Sequence, residues 1–144
     1  MEDLAAQEYM RQRLEPRPGD PLYLSLSDLS LAVRSLMPSR VQQVLDYGSG
    51  GSPYKTLFGN CVYHRADLTG QGLDFVYGPD ARLPASAEGY DFVLSTQVLE
   101  HVENPTTYLG ECYRVLKPNG RLLLTTHGLF EDHGCPYDYW RWTV

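Results

Sequence analysis

The segment best equipped for ligand chemistry is Asp46-Tyr47-Gly48-Ser49-Gly50-Gly51. Glycines let a backbone approach a bound group closely, and Val41–Asp46 before them reads as a strand. Ser52-Pro53 after them reads as the opening of a short helix, with Gly59 past its end and free N–H groups at its start. A second acid, Asp67, ends the next strand-like run, 21 residues after Asp46. An acid so placed can accept from both hydroxyls of a ribose. The two features together imply a nucleoside ligand in a Rossmann-like crevice.

The residue types narrow that ligand. A full GxGxxG dinucleotide pattern needs Gly48, Gly50 and a small third residue, where Pro53 stands. A carboxylate at Asp46 would repel a bound pyrophosphate, whereas an amino group and a sulfonium would find it favourable. That favours S-adenosylmethionine over NAD, and makes a nicotinamide-dependent oxidoreductase the disfavoured reading. The alternative is that Asp46 merely caps the turn.

Elements of an α/β domain must position these groups. Residues 3–14 read as a helix with Leu4, Met10 and Leu14 on one stripe, broken by Glu15-Pro16-Arg17-Pro18-Gly19-Asp20-Pro21. A second helix is predicted over 27–36, with Leu29, Val33 and Leu36 on one face. Residues 1–40 thus form an N-terminal helical segment, and 41–144 an α/β domain. In the latter, strands are predicted at Val41–Asp46, Val62–Asp67, Asp74–Tyr77, Tyr90–Ser95 and Arg121–Thr126. A helix from Asn104-Pro105 carries Leu109, Cys112 and Leu116 on its apolar stripe, flanked by Tyr108 and Val115. Lys117-Pro118-Asn119-Gly120 turns the chain, and His127–Val144 reads as a loop rich in aromatics and histidine.

Composition removes other classes. The 144 residues carry 12 Lys+Arg against 18 Asp+Glu, a net charge of −6. That balance disfavours binding nucleic acid or a membrane surface through phosphate neutralisation. No apolar run reaches a membrane span, and the acidic MEDLAAQEYMRQR start has no signal-peptide core. Cys61, Cys112 and Cys135 are odd in number and without a CxxC pair, which fits reduced thiols in the cytoplasm.

VLDYGSG resembles motif I of the class I S-adenosylmethionine-dependent methyltransferases, departing from it at Ser52, where a third glycine is usual. GSGGSPYKTLF is similar to a bacterial-type small-molecule subgroup. HRADL at 64–68, Asp80-Ala81-Arg82-Leu83-Pro84, YDFVLSTQVLEHV at 90–102 and YRVLKPNGRLLLTT at 113–126 resemble later blocks of the same family, in order. Asn119 stands where glycine is usual and tolerates the left-handed conformation. HGCPYDYWRWT at 133–143 is similar to a loop of members encoded among polysaccharide and secondary-metabolite genes. The family sheet has strand order 3-2-1-4-5-7-6. The resemblance therefore implies a Rossmann-like, doubly wound, mainly parallel sheet here, with five strands in the order 3-2-1-4-5 and the last two missing.

The resemblance also implies roles. Gly48 and Gly50 bracket the methionine end of S-adenosylmethionine, with Asp46 near its amino group. Asp67 holds the ribose. Asp80 accepts from the adenine amino group, with the Ala81 or Arg82 N–H beside it, and Gln97 joins the cofactor set. Leu68 and Val98 wall the adenine slot or belong to the core, and Asp80 is also readable as a plain turn residue. His101 is the candidate general base, or else a helix residue tied to a neighbouring loop. His127, His133, Tyr137 and Tyr139 are expected to line a pocket for a small-molecule acceptor, a sugar or natural-product intermediate. Tyr137, Tyr139, Trp140 and Trp142 can stack on that acceptor or close the core over the fifth strand. His127, Glu131, Asp132, His133 and Cys135 have irregular spacing, so no metal is expected. The fifth strand is an exposed edge that invites a homodimer, unless the aromatic tail covers it. A non-catalytic cofactor-binding or partner subunit is the alternative to an enzyme.

Overall fold

The computed structural model of the chain describes residues 2–134 and 137–143. Cys135, counted above with the histidine cluster, lies outside the described residues. Helices α1 (Glu2–Leu14) and α2 (Tyr23–Leu36) precede the sheet. Then come β1 (Gln43–Tyr47), β2 (Val62–Asp67), β3 (Phe75–Val76), β4 (Tyr90–Thr96), α3 (Pro105–Val115) and β5 (Leu116–Thr125). The five strands are ordered β3-β2-β1-β4-β5, and every pairing is parallel. The parallel pairing is that expected from the alternating runs, and the Rossmann-like order is the one the family resemblance implies.

Both faces of the sheet are buried, as parallel sheets require. Along β1, Leu45 and Tyr47 face α3, packing with Val93, Tyr108, Cys112 and Val115. Val44 faces the opposite way, with Phe92, Leu94, Tyr54, Phe58 and Val33 of α2. The N-terminal helices are thus built into the same core as the sheet. Ser30 Oγ of α2 donates to the Leu14 carbonyl at the end of α1 over 2.9 Å. Arg11 of α1 grips Asp20 through both terminal nitrogens, at 3.0 and 2.7 Å.

Several elements differ from expectation for local reasons. No α-helix follows the glycine loop; Lys55–Leu57 is a single 3₁₀ turn. The buried face of α2 is Leu26, Ser30 and Val33, and Leu36 is exposed. In α3 the buried stripe is Tyr108, Cys112 and Val115, while Leu109 is 41% exposed. Tyr108 wins the interior because its hydroxyl has partners there: Ser95 Oγ at 2.7 Å and the Tyr47 carbonyl at 3.1 Å. Pro105 starts α3, and the Asn104 side chain accepts the Thr107 N–H over 3.0 Å. The Lys117–Gly120 turn sits inside β5 as a bulge: Tyr90 pairs with Leu116, but Phe92 pairs with Arg121. Asn119 adopts φ +65°, the left-handed conformation expected of it. Among the described residues, no helix is long and apolar enough to cross a membrane.

Candidate active site

Strands β1, β2 and β4 end on one side of the sheet, where ligands bind in open α/β folds. A cavity of about 590 Å³ lies there. Its floor is the glycine loop, with Gly48, Ser49 and Gly50, and its walls include Asp67, Leu68, Tyr77 and Ala81. Gln97, Val98 and His101 enter from the segment after β4, and His133, Tyr137 and Tyr139 from the tail.

The loop is held by strand β2 rather than by a following helix. The Gly48 and Ser49 N–H groups donate to the Ala66 carbonyl at 2.9 and 3.0 Å. Arg65 stitches the loop from outside, donating to Ser52 Oγ and to the Gly50 carbonyl, each at 2.8 Å. Gly48 has φ +80°, and a Cβ there would collide with both methyl groups of Val98. This glycine is required by backbone and by space.

Asp67 is placed as a ribose acceptor needs. Oδ2 receives the Gly50 N–H and Oδ1 the Leu68 N–H, both over 2.7 Å. Each oxygen keeps a lone pair for a further donor. Asp46, by contrast, is buried and is not among the cavity-lining residues. Its Oδ2 accepts the Tyr63 hydroxyl over 2.7 Å beneath the loop. Burial pushes its carboxyl up to about 7, against the Tyr63 and Ser52 hydroxyls, which pull it down.

Ala81 lines the cavity with φ +58°, its carbonyl accepting the Tyr47 hydroxyl and its N–H donating to the Gly78 carbonyl over 2.9 Å. Asp80 and Arg82 turn away from the cavity, into an adjoining depression with Asn104 and Thr107. Asp80 Oδ1 accepts the Arg82 N–H over 3.2 Å, the Asx geometry of a turn.

His101 sits on a 3₁₀ turn, Leu99–His101, rather than an α-helix. Its Nδ1 is 2.7 Å from the Tyr137 carbonyl. A carbonyl only accepts, so Nδ1 is the donor, and in the neutral ring Nε2 is the acceptor. The tie to a neighbouring loop is present, and His101 also lines the cavity. The tail folds over this turn: the Tyr139 and Trp140 N–H groups donate to the Glu100 carbonyl, and Trp140 Nε1 to the Val102 carbonyl. His133, Tyr137 and Tyr139 thereby reach the cavity, whereas His127 stays behind it, its Nδ1 on Gln97 Oε1 at 2.9 Å. Trp140 and Trp142 lie tilted against each other, their ring centroids 5.7 Å apart.

Sequence reasoning did not single out Tyr9 and Arg13 of α1, or Leu26 of α2, as lining residues. Arg13 lies over the Tyr9 ring at 3.6 Å, so α1 closes the cavity with a cation–aromatic pair. Nothing in their local sequence separates them from an exposed helix face.

A family model described as a methyltransferase domain matches residues 45–124, more than half of the chain. The chain belongs to this methyltransferase family. With that membership goes S-adenosylmethionine as cofactor, and the residues of the methyltransferase domain fit it: a glycine loop, Gly48 to Gly50, lining the cavity, a bifunctional acceptor at Asp67, and an apolar slot at Leu68, Tyr77 and Ala81. A ubiquinone biosynthesis O-methyltransferase of Dinoroseobacter shibae is 32% identical over 110 residues, 65% of this chain and 44% of that protein. The chain spans less than half the length of the curated relatives it matches. A crystal structure from Bacillus halodurans, described as a methyltransferase, is 25% identical with a TM-score of 0.57, covering 74% of this chain and 53% of that one. The fold is also that of a Haemonchus contortus phosphoethanolamine N-methyltransferase solved with S-adenosyl-L-methionine, at 20% identity and TM-score 0.57, over 90% of this chain and 34% of that one.

Proposed function

We propose that the chain binds S-adenosylmethionine along the glycine loop and directs methyl transfer to a hydroxyl of a small-molecule acceptor, a sugar or natural-product intermediate. One observation carries this reading. A single cavity is lined on one side by Gly48, Gly50, Asp67, Leu68, Ala81 and Gln97, and on the other by His101, His133, Tyr137 and Tyr139. The hydroxyl acceptor is supported by the O-methyltransferase names of the curated relatives. The tyrosine rings supply a stacking surface for a sugar or planar acceptor.

Bound S-adenosylmethionine supplies a methyl already activated by the sulfonium. The chain's own work is then alignment and exclusion of water. Asp67 and Leu68 orient the nucleoside, the glycine loop forms the floor beneath it, and the 137–140 segment with α1 covers the opening. His101 Nε2, unprotonated while Nδ1 donates to Tyr137, is the group that takes the acceptor's proton. Cytoplasmic residence is supported by the free thiols of Cys61 and Cys112. A homodimer through β5 is supported by its place at the end of the sheet order, and a monomeric mass by light scattering would refute it. The acidic balance supports partners other than nucleic acid or membrane.

The test is calorimetric titration of the chain with S-adenosylhomocysteine, followed by transfer of labelled methyl to a panel of hydroxylated acceptors. Binding that Asp67→Ala abolishes, with transfer that His101→Gln slows, is the expected outcome. Binding with no transfer to any acceptor would favour a non-catalytic cofactor-binding subunit.

A further inference from the structure

Behind the cavity, three side chains far apart in sequence converge. Glu100, His127 and His133 each bring a ligand atom within 4.8 Å of the other two. Glu100 is fully buried. Its Oε2 accepts the Thr126 hydroxyl over 2.9 Å, but Oε1 has no hydrogen-bond partner among the described residues. Oε1 lies 3.2 Å from His127 Nδ1, an ion pair only if the ring is protonated. His127 Nδ1 also lies 2.9 Å from Gln97 Oε1, and its buried Nε2 has no hydrogen-bond partner among the described residues. Two polar atoms are thus left unsatisfied in one interior patch, which calls for an explanation.

The surroundings of both imidazoles are those of metal ligands. A ligating histidine gives its other ring N–H to a carboxylate or carbonyl. His127 Nδ1 faces Gln97 Oε1, and His133 Nδ1 lies 3.1 Å from the Glu131 carbonyl and 3.2 Å from Asp138 Oδ2. Asp138 is itself fixed by Arg141, which donates to it from both terminal nitrogens. The rings of His127 and His133 are 5.0 Å apart at 50°.

We propose that Glu100, His127 and His133 form a binding site for a first-row divalent transition metal, Zn²⁺ or a close relative, at the back of the cavity. Two nitrogens and one carboxyl oxygen suit that class better than Mg²⁺ or Ca²⁺. Ligand atoms around one tetrahedral ion lie about 3.3 Å apart, given bonds of about 2.0–2.2 Å. From separations of up to 4.8 Å the cluster must therefore close by up to about 1.5 Å, and His133, the half-exposed member on the segment after β5, is the one placed to supply that movement. His133 is also the member that lines the cavity. Three protein ligands leave a fourth position open, and oxygen donors of a molecule in the cavity are the groups that could take it. The irregular spacing of these residues hid the site, since Glu100 is contributed by the turn after β4 and the histidines by the segment after β5. The proposal stands on the cluster itself and is independent of the methyl-transfer reading.

Co²⁺, added to the full chain after chelator treatment, tests it. One equivalent should bind with a visible d–d band, and one equivalent of Zn²⁺ should displace it. His133→Ala, at a half-exposed position, should weaken binding about 100-fold or more with an unchanged circular dichroism spectrum. Glu100→Gln should do the same if that variant folds. Absence of a visible band in the wild-type chain, or a band that His133→Ala leaves intact, overturns the proposal.

Discussion

Gly50 N–H donates to Asp67 Oδ2 over 2.7 Å, so the glycine loop and the end of β2 are one unit. The residue that would hold the ribose also fixes the loop that would hold the methionine end. Asp67→Ala should therefore cost more than a ribose contact. Charge-assisted hydrogen bonds contribute about 1.5–3 kcal/mol each, so S-adenosylhomocysteine affinity should fall about 100-fold. Asp67→Asn keeps one acceptor and should fall less. Calorimetry of both variants separates the two contributions, and equal losses would show that shape alone suffices.

Gly48 should tolerate no side chain. Gly48→Ala adds both a left-handed strain and a collision with Val98, at a combined cost of roughly 1–3 kcal/mol. Denaturant midpoints would measure this. The double variant Gly48→Ala/Val98→Ala removes the collision but not the strain, so it should recover only part of the loss. Full recovery would assign the whole effect to the side chain of Val98.

Tyr47 reaches from the end of β1 to the Ala81 carbonyl, and its ring stacks on Tyr108 at 4.2 Å. It thus anchors the turn that carries Ala81 into the cavity. Tyr47→Phe keeps the stacking and leaves a buried carbonyl short of a donor, at about 1–3 kcal/mol. Stability should fall by that amount and S-adenosylhomocysteine affinity several-fold, as read by thermal melts and titration. An unchanged affinity would mean the turn is held by its own hydrogen bonds.

The strands were legible because each is a short apolar run between turn signals, and their order was legible through the family resemblance. Val62–Asp67 has the bounds its residues predict. Asp67, Gly48 and Gly50 were legible because their chemistry follows from position at strand ends. What periodicity did not reveal depends on contacts across the fold. Tyr108 displaces Leu109 from the interior because Ser95 and Tyr47 satisfy its hydroxyl. β5 begins at Leu116 because a four-residue bulge, Lys117–Gly120, is absorbed without leaving the strand. Asp46 carries the right residue type for a ligand contact, yet the strand's alternation turns its carboxyl beneath the loop, toward Tyr63. Tyr9 and Arg13 reach the cavity only because α1 packs over the glycine loop.

Asp46 should give the protein a pH-dependent stability. Its folded pKa, about 7, is raised above the ordinary value of 3.8, so the native state holds the proton over that interval while the unfolded chain has released it. Stability is therefore full below about pH 4 for this group and declines as pH rises toward 7. The decline amounts to a few kcal/mol, at 1.36 kcal/mol for each pKa unit. Asp46→Asn stays neutral and can still accept from Tyr63, so its stability should lack this slope. Urea denaturation at pH 5 and pH 8 should show the variant gaining on the wild type at the higher pH. A constant difference between the two at both pH values would mean that Asp46 is ionised in the fold throughout, with Tyr63 and Ser52 outweighing its burial.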